Sequence, residues 1–357
     1  MIPIAKPVIG DEEAEGVTRV LESGMLAEGE VVREFEGEFA DYCGAEHAVA
    51  TANGTAALHA ALVALGIGEG DRVLTTPFSF VATANAIRHA GAEPVFADVD
   101  PVTYNLDPDA AREVATASDV DAILVVHLYG CPAEMDAFLD LAADFEVPLV
   151  EDCAQAHGAT YRGQRVGSFG DAACFSFYPT KNMTTGEGGM VLTDREDVAD
   201  GVERFVDHGR VGGYTHASVG HNFRMTNVAA AIGRAQFERL PDFVARRREN
   251  ATRLTAALAE TDVEPPVEPA GHTHAYHQYT VRTPDRTAFR DHLESHGVGT
   301  AIYYPQCIHE QPAYEDVSHD APNAERAAAE VLSLPVHPAL SNDDIDHVTE
   351  VIASYDG

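Results

Sequence analysis

The chain has 357 residues, 45% of them hydrophobic, which suits one large domain and a smaller one built on buried cores. Asp and Glu number 58 against 23 Lys and Arg, a formal net charge of −35. Such a chain repels nucleic acid and anionic membrane surfaces, and both are excluded as main partners.

The N-terminal 45 residues read as helix, glycine-punctuated loop and helix, with Phe35 and Phe39 on one helix face. From about residue 47 to 193, short β-rich runs alternate with amphipathic helices. Helices are predicted at 55–66, 81–89, 109–117 and 133–145, and strands at 73–75, 94–97, 122–126 and 148–150. Alternation of this kind predicts an α/β fold, a mostly parallel sheet with helices on both faces. Residues 226–260 read as a long helical stretch interrupted or bent near Pro241. The proline-rich segment Glu264–Gly271 reads as a linker or hairpin. A strand at 276–282, a helix at 286–296, a strand at 298–303 and a last helix capped by Ser341 predict a small α+β domain. The division is 1–240 for the large domain and 241–357 for the small one.

The carboxylates are spread along the chain, the pattern of a solvated surface. Their mutual repulsion is largely screened at ~1 M salt, where the Debye length is roughly 3 Å. The composition therefore predicts a protein of a high-salt cytoplasm. Neither a signal peptide nor an apolar run of about 18 residues is present, so a soluble, cytoplasmic protein is expected. The five cysteines, Cys43, Cys131, Cys153, Cys174 and Cys307, have no paired spacing. They read as small buried hydrophobes in a reducing compartment.

Only two of the basic residues are lysines, Lys6 and Lys181. Lys181 follows Ser176-Phe177-Tyr178-Pro179-Thr180 and precedes a run containing Gly186, Gly188 and Gly189. An amine kept in that setting is a candidate Schiff-base lysine, or else an ordinary surface lysine. Asn53-Gly54-Thr55 opens a helix after a strand, where free amides suit a phosphate; a plain helix cap is the alternative. Asp152 and Gln155 follow a strand end, where ligands bind in such sheets. A carboxylate there either pairs with a ring nitrogen or caps a turn, and His157 reads as a packed core histidine. Ser176 can donate to a phosphate near the lysine, and Phe80, rather than Phe78, is placed to stack on a flat ring. His272, His274 and His277 read as structural, and no metal is expected.

Taken together, and in this order, the motifs resemble the DegT-type (DegT/StrS) sugar aminotransferases. The resemblance runs from Ile4-Ala5-Lys6-Pro7 through Gly54-Thr55-Ala56-Ala57-Leu58, Glu151-Asp152-Cys153-Ala154-Gln155 and Ser176 to Lys181. It continues through Asn222-Phe223-Arg224-Met225 and Tyr304-Pro305 to Ser333-Leu334-Pro335. The resemblance implies the three-layer fold-type I architecture of enzymes using pyridoxal 5′-phosphate (PLP). It implies Lys181 as the catalytic lysine, Asp152 on the pyridine nitrogen and Gln155 near the ring. Gly54, Thr55 and Ser176 would hold the phosphate, Phe80 would stack on the ring, and Asn222 would reach the phosphate of a neighbouring subunit in a homodimer. Arg224 would meet the donor carboxylate or substrate phosphates, with Tyr303 and His309 on the sugar side. Tyr303 stands where many relatives carry His. The implied reaction moves an amino group from an amino-acid donor, L-glutamate by resemblance, to a nucleotide-linked keto(deoxy)sugar for glycan or aminosugar biosynthesis. A cyclic-ketone (cyclitol-type) transaminase and a non-catalytic regulatory protein remain as alternatives. Dehydrating relatives carry histidine in place of the lysine, and this chain keeps the lysine.

Overall fold

Seven strands form the central sheet of the computed structural model, which describes residues 1–317 and 320–355. In chain order they are β1 (His47–Thr51), β2 (Arg72–Thr75), β3 (Glu93–Phe96), β4 (Ala122–Val126), β5 (Leu149–Asp152), β6 (Ala172–Ser176) and β7 (Gly189–Thr193). Their spatial order is β1-β7-β6-β5-β4-β2-β3. Strand β7 runs antiparallel to both neighbours, and the other pairs are parallel. All five residues of β4 are buried, as a strand covered on both faces requires.

Helices α1 (Asp11–Ser23) and α2 (Glu30–Cys43) precede the sheet. Helices α3 (Gly54–Ala64), α4 (Ala82–Ala90), α5 (Pro108–Ala117), α6 (Met135–Phe145) and α7 (Glu196–Val206) alternate with its strands. One face of the sheet packs Leu58, Leu62, Phe78 and Ile87 against β4, and the other packs Phe138 and Leu141. Phe35 and Phe39 share a buried face of α2, as their spacing predicts. The Phe39 ring meets Phe175 edge-on at 5.0 Å, which docks α2 on β6.

Helix α8 (Asn227–Leu258) follows, and after it come α9 (Arg286–Ser295), α10 (Pro322–Glu330) and α11 (Asn342–Ala353). Two antiparallel strands, β8 (Tyr279–Arg282) and β9 (Val331–Leu334), carry a second core with Leu254, Phe289 and Ile345. Ser341 caps α11 by accepting from the Asp344 N–H at 3.1 Å.

Two expected strands are corrected, and two segments resolve between their alternatives. Pro241 does not interrupt α8, although it removes a ladder hydrogen bond. The helix packs on α1 and α2 in one half and α11 in the other, and Leu240, Phe243 and Val244 are buried around the proline. The strand predicted from Tyr276 starts at Tyr279, because Tyr276 has φ 44° and its N–H goes to His274 Nδ1. Residues 298–303 form only single pairings, Ile2 with Val298 and Ala301 with Ser333. Segment Glu264–Gly271 is irregular, with one bridge from Glu264 to Arg282, which fits the linker reading and not the hairpin. Position 240/241 lies within the continuous α8. None of the described helices is long and apolar enough to cross a membrane.

Candidate active site

The carboxyl ends of β2, β4, β5 and β6 open into one cavity of about 1140 Å³. Lys181 lies on its wall, in the loop from β6 to β7. That loop is tied down on both sides of the lysine. The Lys181 N–H donates to the Tyr178 carbonyl at 2.9 Å, and Thr184 Oγ1 donates to the Phe177 carbonyl at 2.8 Å. Asn182 Nδ2 donates to the Ala275 carbonyl at 3.0 Å. At the loop's far end a side chain on Gly189 would meet the Asn53 carbonyl at 2.5 Å, so only glycine lets β7 pass the start of α3. Burial pushes the Lys181 amine down to about 8, while the nearby Asp152 carboxylate pulls it back up.

Asp152 ends β5 and is buried. Its Oδ2 accepts from Thr83 Oγ1 at 2.9 Å and its Oδ1 from the Ala154 N–H at 3.1 Å. Burial raises its pKa, and these two donors and Lys181 oppose that rise. Gln155 is fixed at both ends of its amide. Its Oε1 accepts from the Tyr129 N–H at 2.6 Å, and its Nε2 donates to the Tyr304 hydroxyl at 3.0 Å.

Asn53 caps α3 by accepting from the Ala56 N–H at 2.9 Å. The preceding amides, those of Gly54 and Thr55, have no partner within the helix and border the cavity beside Ser176. A Cβ on Gly54 would sit 2.7 Å from that of Ser176. The helix start and the Ser176 hydroxyl thus form a cradle that a side chain would fill. Phe80 is 55% exposed on the cavity wall, whereas Phe78 is fully buried. The two aromatics therefore separate as their strand-end placement predicts.

Three other expected site residues, Arg224, Asn222 and His309, lie outside the cavity lining. Arg224 is spoken for within its own chain: its guanidinium pairs with Asp207 and lies 3.5 Å from Glu28. Asn222 bridges Asp207 through the backbone and is exposed, outside the cavity lining. His309 does not line the cavity. It is buried beside Phe96 and lies 3.3 Å from Glu325, which corrects its placement on the sugar side. Tyr303 does line the cavity. His272 meets Tyr161 edge-on, His274 stacks on Tyr276, and His277 reaches the cavity, so the three histidines serve separate surroundings. His157 packs on Phe175 and Phe177, and burial lowers its pKa to about 3. All five cysteines are free and buried.

Sequence reasoning missed Thr83, which braces Asp152 from α4, and Arg247 of α8, which lines the cavity. Neither sits in a local motif. Their roles arise from long-range packing, 69 residues apart for Thr83 and Asp152.

A flat aromatic phosphate ester fits these residues. The Gly54, Thr55 and Ser176 cradle would take the phosphate, Asp152 would face a protonated ring nitrogen, Phe80 would offer a face, and Lys181 would offer an amine. Comparison with known proteins agrees. The model of the DegT/DnrJ/EryC1/StrS aminotransferase family matches residues 7–353. The chain is 40% identical over 345 residues to UDP-N-acetyl-3-dehydro-alpha-D-glucosamine 3-aminotransferase of Acidithiobacillus ferrooxidans, covering 96% of this chain and 93% of that one. It is also 40% identical over 343 residues to the pleiotropic regulatory protein of Geobacillus stearothermophilus, covering 94% and 92%. The PLP-form structure of Spr1654 from Streptococcus pneumoniae superposes with TM-score 0.92 at 26% identity, covering 99% and 98%. The chain belongs to the DegT/DnrJ/EryC1/StrS aminotransferase family, a family of fold-type I enzymes that work with PLP.

Proposed function

We propose that this chain transfers an amino group from an amino-acid donor, L-glutamate, to the keto carbon of a nucleotide-linked deoxysugar. The observation that carries the reading is Lys181, its amine lowered to about 8, in one cavity with Asp152 and the Gly54, Thr55 and Ser176 cradle. The named nucleotide-sugar aminotransferase among its relatives supports the substrate class.

PLP, when bound, supplies an electron sink for the pair left behind when a carbon next to nitrogen loses its proton. Asp152 would hold the ring nitrogen in its protonated form, and Thr83 and the Ala154 amide fix that carboxylate. Gln155 would flank the ring, its amide oriented by Tyr129 and Tyr304. Gly54, Thr55 and Ser176 would hold the phosphate. Lys181 Nζ, easily made neutral by burial, takes the proton from the donor's α-carbon and returns it on the other side of the transfer. With the keto sugar as acceptor, the same nitrogen moves the proton in reverse.

The exposed Asn222 supports a homodimer in which it reaches a partner's phosphate site. The charge of −35 supports a cytoplasm of high salt, where an anionic nucleotide sugar can approach an anionic protein. A regulatory role is the second reading, favoured by the name of one relative. The test is a split reaction. Loaded protein treated with L-glutamate should lose its PLP absorbance, and a nucleotide keto sugar should restore it. A protein that binds PLP but responds to no amino acid supports the regulatory reading instead.

A further inference from the structure

Helix α8 carries three consecutive arginines, Arg246, Arg247 and Arg248, and the middle one has different surroundings. Arg246 pairs with Glu249 at 2.9 Å, and Arg248 Nη2 donates to Glu268 Oε1 at 3.1 Å, both at the surface. Arg247 is 4% exposed. Its Nη1 donates to the carbonyls of Tyr276 and His277, each at 3.1 Å. Its Nε is buried with no hydrogen-bond partner, and no carboxylate pairs with it among the described residues. Burial lowers its pKa to about 9, with no neighbour acting to raise it. A buried cation left without a counter-charge is costly to a fold, and it marks a place where an anion arrives.

That place shares a cavity with Lys181. Arg247 and Lys181 line the same cavity and also both line a second, narrow cleft. His157 and His277 are both influenced by the two cations, and burial keeps both imidazoles neutral. The carboxylates on the cavity wall are Asp152 and the exposed Glu187 among the described residues, and Asp152 is committed to the ring nitrogen.

We propose that Arg247 receives the α-carboxylate of the amino-acid donor. The inference rests on the transaminase reading above. The α-carboxylate is one bond from the carbon that gives its proton to Lys181, so its anchor has to lie next to that lysine. The phosphates of a nucleotide sugar are several bonds from the reacting keto carbon and need no cation so deep. Arg224, expected in this role from the motif around it, is already neutralised by Asp207 and Glu28. A guanidinium also offers the planar fork that matches a carboxylate.

The test uses PLP-loaded Arg247→Met and Arg247→Lys, each followed by cofactor absorbance with L-glutamate and with its α-amide. Arg247→Met should raise the half-saturating glutamate about 10- to 100-fold, the effect of one lost charge-assisted hydrogen bond. Its preference for glutamate over the α-amide should collapse. Arg247→Lys keeps the charge without the fork and should fall between wild type and Met. A merely structural Arg247 would weaken glutamate and the α-amide alike, and an unchanged preference in either folded variant overturns the proposal. A crystal of wild-type holoenzyme with glutarate gives a second answer that needs no variant. One of its two carboxylates should lie on Arg247, and a complex in which neither does overturns the assignment. A wild-type protein whose absorbance answers no amino acid defeats the transaminase reading and is told apart in that way.

Discussion

A methyl group on Gly54 would lie 2.7 Å from Cβ of Ser176 and 3.2 Å from its Oγ. The start of α3 and the end of β6 meet at a separation that only glycine allows, and the Ser176 hydroxyl stands beside free helix amides. Gly54→Ala should therefore lower PLP affinity by about 5- to 150-fold, since a clash and a lost approach add to about 1–3 kcal/mol. Ser176→Ala, which removes one hydrogen bond, should cost about 1 kcal/mol. Equilibrium dialysis of PLP checks both, with circular dichroism confirming that the fold is kept.

Thr83 is the brace of Asp152. Asp152→Asn should lower kcat by about 100-fold, the scale of roughly 3 kcal/mol expected when a charged hydrogen bond is lost. Thr83→Val leaves the carboxylate in place and should lower kcat by only about fivefold, near 1 kcal/mol. Steady-state kinetics on both variants separates the two. Equal losses would mean that Asp152 works through its placement alone.

The Lys181 amine has a pH signature in cofactor-free protein. Its folded pKa of about 8 lies below the ordinary 10.5. Between these values the unfolded chain holds a proton that the folded chain has lost, so this group makes stability rise with pH across that window. Below pH 8 both states are protonated and the cost of burying the charge is fully present. Lys181→Met should abolish this contribution and be more stable than wild type at pH 7. Denaturant midpoints from pH 7 to 10.5 measure it, and parallel curves for the two proteins contradict it.

Much of this site was legible because its parts are local in sequence. Asn53-Gly54-Thr55, Asp152-Cys153-Ala154-Gln155 and Ser176 through Lys181 each follow a strand, and parallel strands bring their carboxyl ends to one edge. The alternation of buried runs and amphipathic helices likewise placed β2 to β5 within a residue or two. What stayed hidden depends on contacts distant in sequence. Arg247 looks like its neighbours Arg246 and Arg248 until the burial of each is known. The fate of Arg224 depends on Asp207 and Glu28, and that of His309 on Phe96 and Glu325. Pro241 reads as an interruption or a bend, and local propensity cannot weigh the packing that α8 gains from three other helices.

The surface charge makes a separate prediction. With a net charge of −35, lowering salt from ~2 M to ~10 mM lengthens the Debye length to about 30 Å and restores self-repulsion. The circular dichroism signal should fall on dialysis and return when salt is restored. An unchanged spectrum across that range contradicts adaptation to high salt.

The most direct test of the account asks which lysine carries the cofactor. The loaded protein is reduced with borohydride, digested, and its peptides are weighed by mass spectrometry. Lys181 should bear the added phosphopyridoxyl mass, and Lys6 should be unmodified. Lys181→Ala should bind no cofactor covalently and show no turnover, with its fold intact. An adduct on Lys6, or none on either lysine, would contradict the assignment of Lys181 and with it the transaminase reading.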